Sequence, residues 1–194
     1  MRDLENVRVL LADFLELDLP TVIPDELGPG RHPVVANIPY SVTSPVVVRL
    51  LEHRELFSRV VLMVQKEVAD RLTGQPGTSE YGSLTLFTHL FADARRVAFV
   101  SRRAFLPAPD VDSAVIRLDV LEQPRFPAIS PERYLAVVHA AFQQRRKSLS
   151  NSLTGPALGW SREEAREKLA AAGIDGVRRG ETLTPEEFEA LARA

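Results

Sequence analysis

The sequence predicts an α/β sheet followed by a small all-helical tail, and three observations carry that reading. Short runs of β-branched residues and leucine alternate with helical segments over the first part of the chain. Two strand-like runs then follow one another directly, so an antiparallel pair is expected at that end of the sheet. After Pro124 and Pro127 only helical periodicity remains. The boundary is therefore expected near residue 122, with residues 1–122 forming the sheet domain and residues 123–194 the helical one.

Val7 to Ala12 (VRVLLA) reads as a strand buried on both faces, as in a parallel sheet, with Asp13 at its carboxyl end. A Pro- and Gly-rich loop, PDELGPGRHP, leads to Val34-Val35-Ala36, a second short strand that Asn37-Ile38-Pro39-Tyr40 breaks at once, because Pro39 cannot donate to a ladder. Ser44 followed by Pro45 is a helix start, and VVVRLLEHRELF fits a helix packed on a sheet. Arg59 to Gln65 is a third buried strand. Lys66 to Leu72 reads as helix up to the turn TGQPGTSEYG, and Ser83 to Phe91 as helix again. Arg95 to Ser101 and Ser113 to Val120 are the two further strands, flanking the loop FLPAPDVD. In the tail, Pro131 to Gln144, Ser161 to Ala172 and Pro185 to Ala192 are helical, the last two opening on Ser161-Arg162-Glu163-Glu164 and Thr184-Pro185-Glu186-Glu187.

Composition narrows the chemistry. The 194 residues are 45% hydrophobic and 26% charged, ordinary values for a globular chain able to bury a core. No apolar run reaches the roughly 18 residues of a membrane span, and the start MRDLENVRVL lacks a secretory signal, so a cytosolic location is expected. Zero cysteines exclude disulfides, thiolate nucleophiles and cysteine-based zinc sites. His32, His53, His89 and His139 lack metal-ligand spacing, and neither metal nor membrane is expected as a partner. The net charge of -2 hides local clusters at Arg102-Arg103, Arg145-Arg146-Lys147 and Arg178-Arg179, so any nucleic-acid contact is patchy.

Asn37-Ile38-Pro39-Tyr40 is the most informative tetrapeptide. It sets polar groups at the carboxyl end of a strand, where ligands of open α/β sheets bind. The Asn37 amide oxygen and the Ile38 carbonyl, freed by Pro39, can both accept hydrogen bonds from one amino group, and Tyr40 can stack on a planar base. Two such acceptors would point the amine's lone pair at an electrophilic methyl group, a device of orientation that needs no strong base. A plain strand-to-helix turn is the competing reading. Asp13 can accept a hydrogen bond from a cofactor adenine with Phe14 packed beside it, or be an ordinary loop residue. Gln65-Lys66-Glu67 opens a helix nearby and reads as a solvent-exposed turn.

VVANIPYSVTSPVVVRLL resembles the substrate-amine motif and following helix of the ribosomal RNA adenine dimethyltransferases, the KsgA and Erm group. VLMVQKEVADRLTGQPGTSEYGSLTL, AFLPAPDVDSAVIRL, AFQQRRKSLSNSL and GIDGVRRGETLTPEEFEALA resemble that family's later blocks in order, across nearly the whole chain. The long helical tail favours the ribosome-biogenesis branch. The resemblance implies a Rossmann-like S-adenosylmethionine-dependent methyltransferase sheet, and dimethylation of adenines in small-subunit ribosomal RNA within a pre-ribosomal particle. By position it implies that Asn37, Ile38 and Pro39 hold the adenine amine, Tyr40 stacks on the flipped-out base, and Phe105 covers its other side. Asp13, with Phe14 and Asn37, would meet the cofactor S-adenosylmethionine. Arg145, Arg146 and Lys147, followed by Ser148 and Asn151, would form a basic helix end for phosphates. A monomer is expected for the full-length enzyme.

The sequence departs from the family in lacking a Gly-rich loop after a first strand and an acidic residue after a second; Gly28 and Gly30 fall before the wrong strand. Those two strands are expected to lie before Met1. Their absence would open a gap in mid-sheet between Val7–Ala12 and Val34–Ala36, as in a fragment, a misplaced start or one part of a longer protein. Cofactor binding by this chain alone is then expected to be weak. The rival from another class is a non-catalytic RNA-binding or ribosome-assembly factor that keeps the pocket. Adenine-DNA and protein-glutamine methyltransferases share similar Asn-x-Pro-Tyr turns, but the QRRKSLSNSL block and helical tail speak against them.

Overall fold

The computed structural model describes residues 6–194. Its sheet has four strands, β1 (His32–Asn37), β2 (Phe57–Gln65), β3 (Ala92–Val100) and β4 (Ser113–Val120), in the order β1-β2-β4-β3. β1 runs parallel to β2, the geometry that requires a crossover helix; β4 is antiparallel to both β2 and β3. The expected antiparallel pair at the end of the sheet is present. Strand β3 begins three residues earlier than its sequence pattern, and a register shift between Arg96 and Ala98 bends it.

Alternation of apolar and polar residues turns one face of the sheet inward. Val60, Leu62 and Val64 of β2 and Ala114, Ile116 and Leu118 of β4 are fully buried. Three helices cover that face, α2 (Thr43–Glu52), α3 (Lys66–Leu72) and α4 (Ser83–Phe91), and α5 (Pro131–Gln143) packs against α4. The opposite face is only partly covered among the described residues, with Val61, Met63 and Val115 half-buried and Val35 81% exposed. β2 and β4 therefore bury one face each and not two, while β3 is exposed over most of its length. Arg31 clamps the amino-terminal edge of the sheet, donating to the carbonyls of Phe57 (3.0 Å) and Val120 (2.8 Å).

The tail continues with α6 (Leu149–Ser152), α7 (Arg162–Ala171) and α8 (Pro185–Arg193). Ser161 with Glu164, and Thr184 with Glu187, form reciprocal capping boxes that start α7 and α8. Tyr134 and Phe188 are fully buried, and one hydrophobic cluster runs from the sheet through α4 into α5 and α8.

Three sequence expectations are corrected here. Val7 to Ala12 is not a strand: it is extended chain without a ladder partner among the described residues, with Val9 77% and Leu11 104% exposed. A strand is defined by its pairing, which no single-segment pattern can supply. The four described strands are contiguous, with β1 at one edge of the sheet. The Pro- and Gly-rich stretch begins inside a helix, α1 (Leu19–Leu27), which tolerates Pro24 because Val22 N donates to Asp18 O and Gly28 N to Pro24 O on either side (both 2.9 Å). Burial of Leu19 against the core outweighs the helix-breaking proline. Finally, α2 starts at Thr43 and ends at Glu52; the residues after His53 form a short 3₁₀ turn, Arg54–Leu56, and Phe57 already belongs to β2.

Candidate active site

β1 ends at Asn37, paired in register with Met63, so the Ile38 carbonyl lies beyond the last ladder pair. Pro39, at φ -57° and ψ 138°, turns the chain into a 3₁₀ turn, Tyr40–Val42, which feeds directly into α2. The Tyr40 hydroxyl lies 2.6 Å from Ser113 Oγ at the start of β4, and Ser113 is fully buried. One hydrogen bond thus ties the aromatic ring after β1 to the middle of the sheet. Asn37 and Pro39 stay exposed at the same end.

Beside this turn lies a cavity of about 430 Å³ whose walls include Phe14, Val34, Ile38, Val42 and Val46, with Asp13 among its lining residues. Asp13 Oδ1 accepts the Leu15 N–H at 2.8 Å, a local turn that fixes the carboxylate and places Phe14 against the core. An apolar slot with one carboxylate suits a flat heteroaromatic ring carrying an amine: the walls take its faces and the acid accepts its N–H. The structure therefore brings Asp13 and Phe14 together with Ile38 and Pro39, although residues 7–12 are not a strand.

Phe105 follows a 3₁₀ turn, Arg102–Ala104, and is half-buried. Its loop closes on itself: Arg102 N donates to Asp112 Oδ1 (2.9 Å) and Arg102 Nη1 to Asp110 O (3.0 Å). Asp112 O in turn accepts the Lys66 N–H at 2.9 Å. The loop that carries Phe105 thus ends beside Ser113, the anchor of Tyr40. Gln65, Lys66, Glu67, Glu80, Arg102 and Asp112 line a second, polar pocket of about 440 Å³ here. Gln65-Lys66-Glu67, read from sequence as an exposed turn, is one wall of it. Glu80 is held below the usual carboxylate range by the Ser79 hydroxyl.

In the tail, α5 stops at Gln143, so Arg145, Arg146 and Lys147 occupy a turn and not a helix end. Arg145 is engaged internally, its Nη2 donating to Ser79 O (3.0 Å) and Tyr81 O (2.8 Å), with Glu181 at 3.6 Å. Arg146 and Lys147 are exposed, and neither makes an ion pair among the described residues. Leu149 N donates to Arg178 O at 2.8 Å, which brings the turn beside Arg178-Arg179. Arg178 is itself occupied, gripping Glu187 with both terminal nitrogens and holding that carboxyl below its ordinary range. Arg179 is exposed.

Sequence reasoning missed Ser113, Val42 and Val46 as parts of the site and Glu80 as part of the polar pocket. Ser113 is legible only once the register of β4 against Gln65 is known, and Glu80 only once its loop is placed. The helical spacing of Val42 and Val46 is a signal the sequence does contain.

The family described as Ribosomal RNA adenine dimethylase matches residues 1–192. The chain is 46% identical over 194 residues to the ribosomal RNA small subunit methyltransferase A of Geobacter metallireducens, covering 100% of this chain and 70% of that protein. It is 42% identical to the protein of the same name from Clostridioides difficile, covering 99% of this chain and 66% of the relative. Among solved structures, a dimethyladenosine transferase from Plasmodium falciparum superposes with a TM-score of 0.78 at 24% identity, over 98% of this chain and 72% of that one. The 23S rRNA methyltransferase ErmE superposes with a TM-score of 0.69 at 28% identity, over 97% and 71%. The chain thus spans about two thirds of the length of its relatives, and its sheet has the Rossmann-like methyltransferase fold.

Proposed function

The chain belongs to the ribosomal RNA adenine dimethylase family, and we propose that it serves S-adenosylmethionine-dependent methylation of the exocyclic amine of adenines in small-subunit ribosomal RNA. The observation that carries this reading is the Asn37-Ile38-Pro39-Tyr40 turn, pinned to Ser113 beside an apolar slot that contains Asp13.

The target amine has two hydrogens and one lone pair. Asn37 Oδ1 and the Ile38 carbonyl accept the two N–H groups, which leaves the lone pair directed away from the chain. Tyr40, its hydroxyl engaged by Ser113, offers the face of its ring to the base, and Phe105 closes from the loop opposite. The base must leave its stack to enter, at an unstacking cost of a few kcal/mol that these ring contacts offset. S-adenosylmethionine, when bound, supplies an electrophilic methyl group. As the amine nitrogen gains positive charge the same two acceptors bind its hydrogens more tightly, stabilising the transition state more than the ground state. The excess proton then leaves to water.

The described residues fit the adenine end of that cofactor: Phe14, Ile38 and Val42 for the ring faces and Asp13 for the amino group. Arg146, Lys147 and Arg179 provide the exposed cations for phosphates. A cytosolic setting and a pre-ribosomal partner accord with that chemistry.

The test is incubation of this chain, in parallel with a version extended upstream, with methyl-labelled S-adenosylmethionine and small ribosomal subunits lacking dimethyladenosine. Label on adenine amines from the extended version, lost in its Asn37→Ala variant and weak with this chain alone, is the expected result. RNA binding without label from either version would instead favour a non-catalytic RNA-binding factor, and neither binding nor label would overturn the reading.

A further inference from the structure

We propose that Arg145 is a positioning residue that fixes the 74–82 loop as a rigid wall of the polar pocket facing the RNA, and that it is not itself a phosphate ligand. The inference rests on the RNA reading above for what the wall faces.

The loop joins α3 to α4, and residues 75–80 are all exposed. Exposed tips of small polar residues are ordinarily mobile. This one is held at four points. At its neck a side chain on Gly74 would meet the Tyr81 backbone at 3.1 Å, so any other residue there would push the two ends apart by a few tenths of an ångström. Tyr81 is buried, and its hydroxyl donates to Leu183 O at 2.8 Å. Gly77 N donates to Glu181 O at 2.7 Å. Arg145 supplies the fourth point, donating to the carbonyls on either side of Glu80 while its guanidinium lies 5.8 Å from the centre of the Phe142 ring.

The receiving turn is equally fixed. A side chain on Gly180 would meet Ala141 at 3.0 Å, so the turn sits tight on α5. Glu80 is thereby presented to the pocket formed with Gln65, Lys66 and Arg102, next to the Asp112–Ser113 anchor of Tyr40. The adjoining Arg146 and Lys147 project to solvent and are the phosphate ligands of the cluster.

Hydrogen exchange of the loop amides and the salt dependence of binding to small ribosomal subunits test this together. Arg145→Ala should speed exchange at Gly77 and its neighbours about tenfold or more with α7 unchanged. It should weaken RNA binding several-fold and leave the slope of log K against log salt as in the parent. Arg145→Lys, which keeps the charge and α5 packing, should also speed loop exchange. Arg146→Ala should leave exchange alone and lower the slope by about one. Unchanged loop exchange in both Arg145 variants would overturn the proposal, as would a slope lowered by about one in Arg145→Ala. If the parent chain binds no RNA, the function proposed above fails, and the exchange measurement still decides the positioning role.

Discussion

The Tyr40 hydroxyl and Ser113 Oγ lie 2.6 Å apart, joining residues 73 positions distant in sequence across the carboxyl end of β1 and the first residue of β4. Because Ser113 is fully buried, the bond both orients the ring and satisfies a hydroxyl that has no water to turn to.

Tyr40→Phe should therefore cost about 1 kcal/mol of stability, as measured by urea unfolding, with RNA binding changed little. Tyr40→Ala should weaken binding of an adenine-bearing target by a further ~1–3 kcal/mol, the worth of one base stacked on a ring. Equal RNA affinity for the two variants would exclude stacking on Tyr40.

Phe105 makes a contrasting case. It is half-buried on a loop that Asp112 and Arg102 hold independently. Phe105→Ala should leave the unfolding free energy from urea titration within about 0.5 kcal/mol of the parent. Methyl transfer at limiting RNA should nevertheless fall about tenfold or more. A large stability loss with unchanged transfer would make Phe105 a loop anchor.

Glu187 links the tail's capping box to Arg178. Hydrogen bonding by Arg178 lowers its pKa, opposed by burial and assisted by the Thr184 backbone N–H. A carboxyl lowered in the folded state contributes stability that is present above its unfolded pKa and lost as pH falls through the folded one. Glu187→Gln should thus cost about 1–2 kcal/mol at pH 7 and progressively less below about pH 4. A penalty independent of pH would refute the charge-assisted role.

His89 behaves in the opposite chemical sense with the same direction in pH. Burial, and then Arg125, lowers its pKa, while Glu186 and Asp93 act weakly the other way. The folded state resists protonation, so stability is complete above the ordinary histidine value and declines as pH falls through about 6.5. His89→Gln should flatten the stability profile between about pH 6.5 and pH 5, read by thermal unfolding in that window.

The tail and sheet share one core, in which Phe142 stacks on Phe188 (6.0 Å between centroids) and Tyr81 meets Phe142 edge-on at 6.1 Å. We expect the two units to unfold together. The single tryptophan, Trp160, reports on the tail, and far-ultraviolet circular dichroism on the whole. Coincident urea transitions are expected, with Phe188→Ala shifting both by about 3–5 kcal/mol. Separate transitions would show that the units split near residue 122.

What the sequence determined by itself is what neighbouring residues can decide. Helices α3 and α4 have the limits their patterns predict. α7 and α8 begin within a residue of theirs, because their Ser161–Glu164 and Thr184–Glu187 caps act within one turn. The Asn37-Ile38-Pro39-Tyr40 turn is likewise local: proline ends β1 wherever the strand lies. Tertiary structure decided the rest. Residues 7–12 have a strand's composition but no ladder partner among the described residues, and α1 forms through a proline because Leu19 is buried. Arg145 and Arg146 are identical side chains one position apart, yet one faces two carbonyls and the other water. Pairing, burial and hydrogen-bond partners come from residues tens of positions away, and no local pattern can encode which of them will arrive.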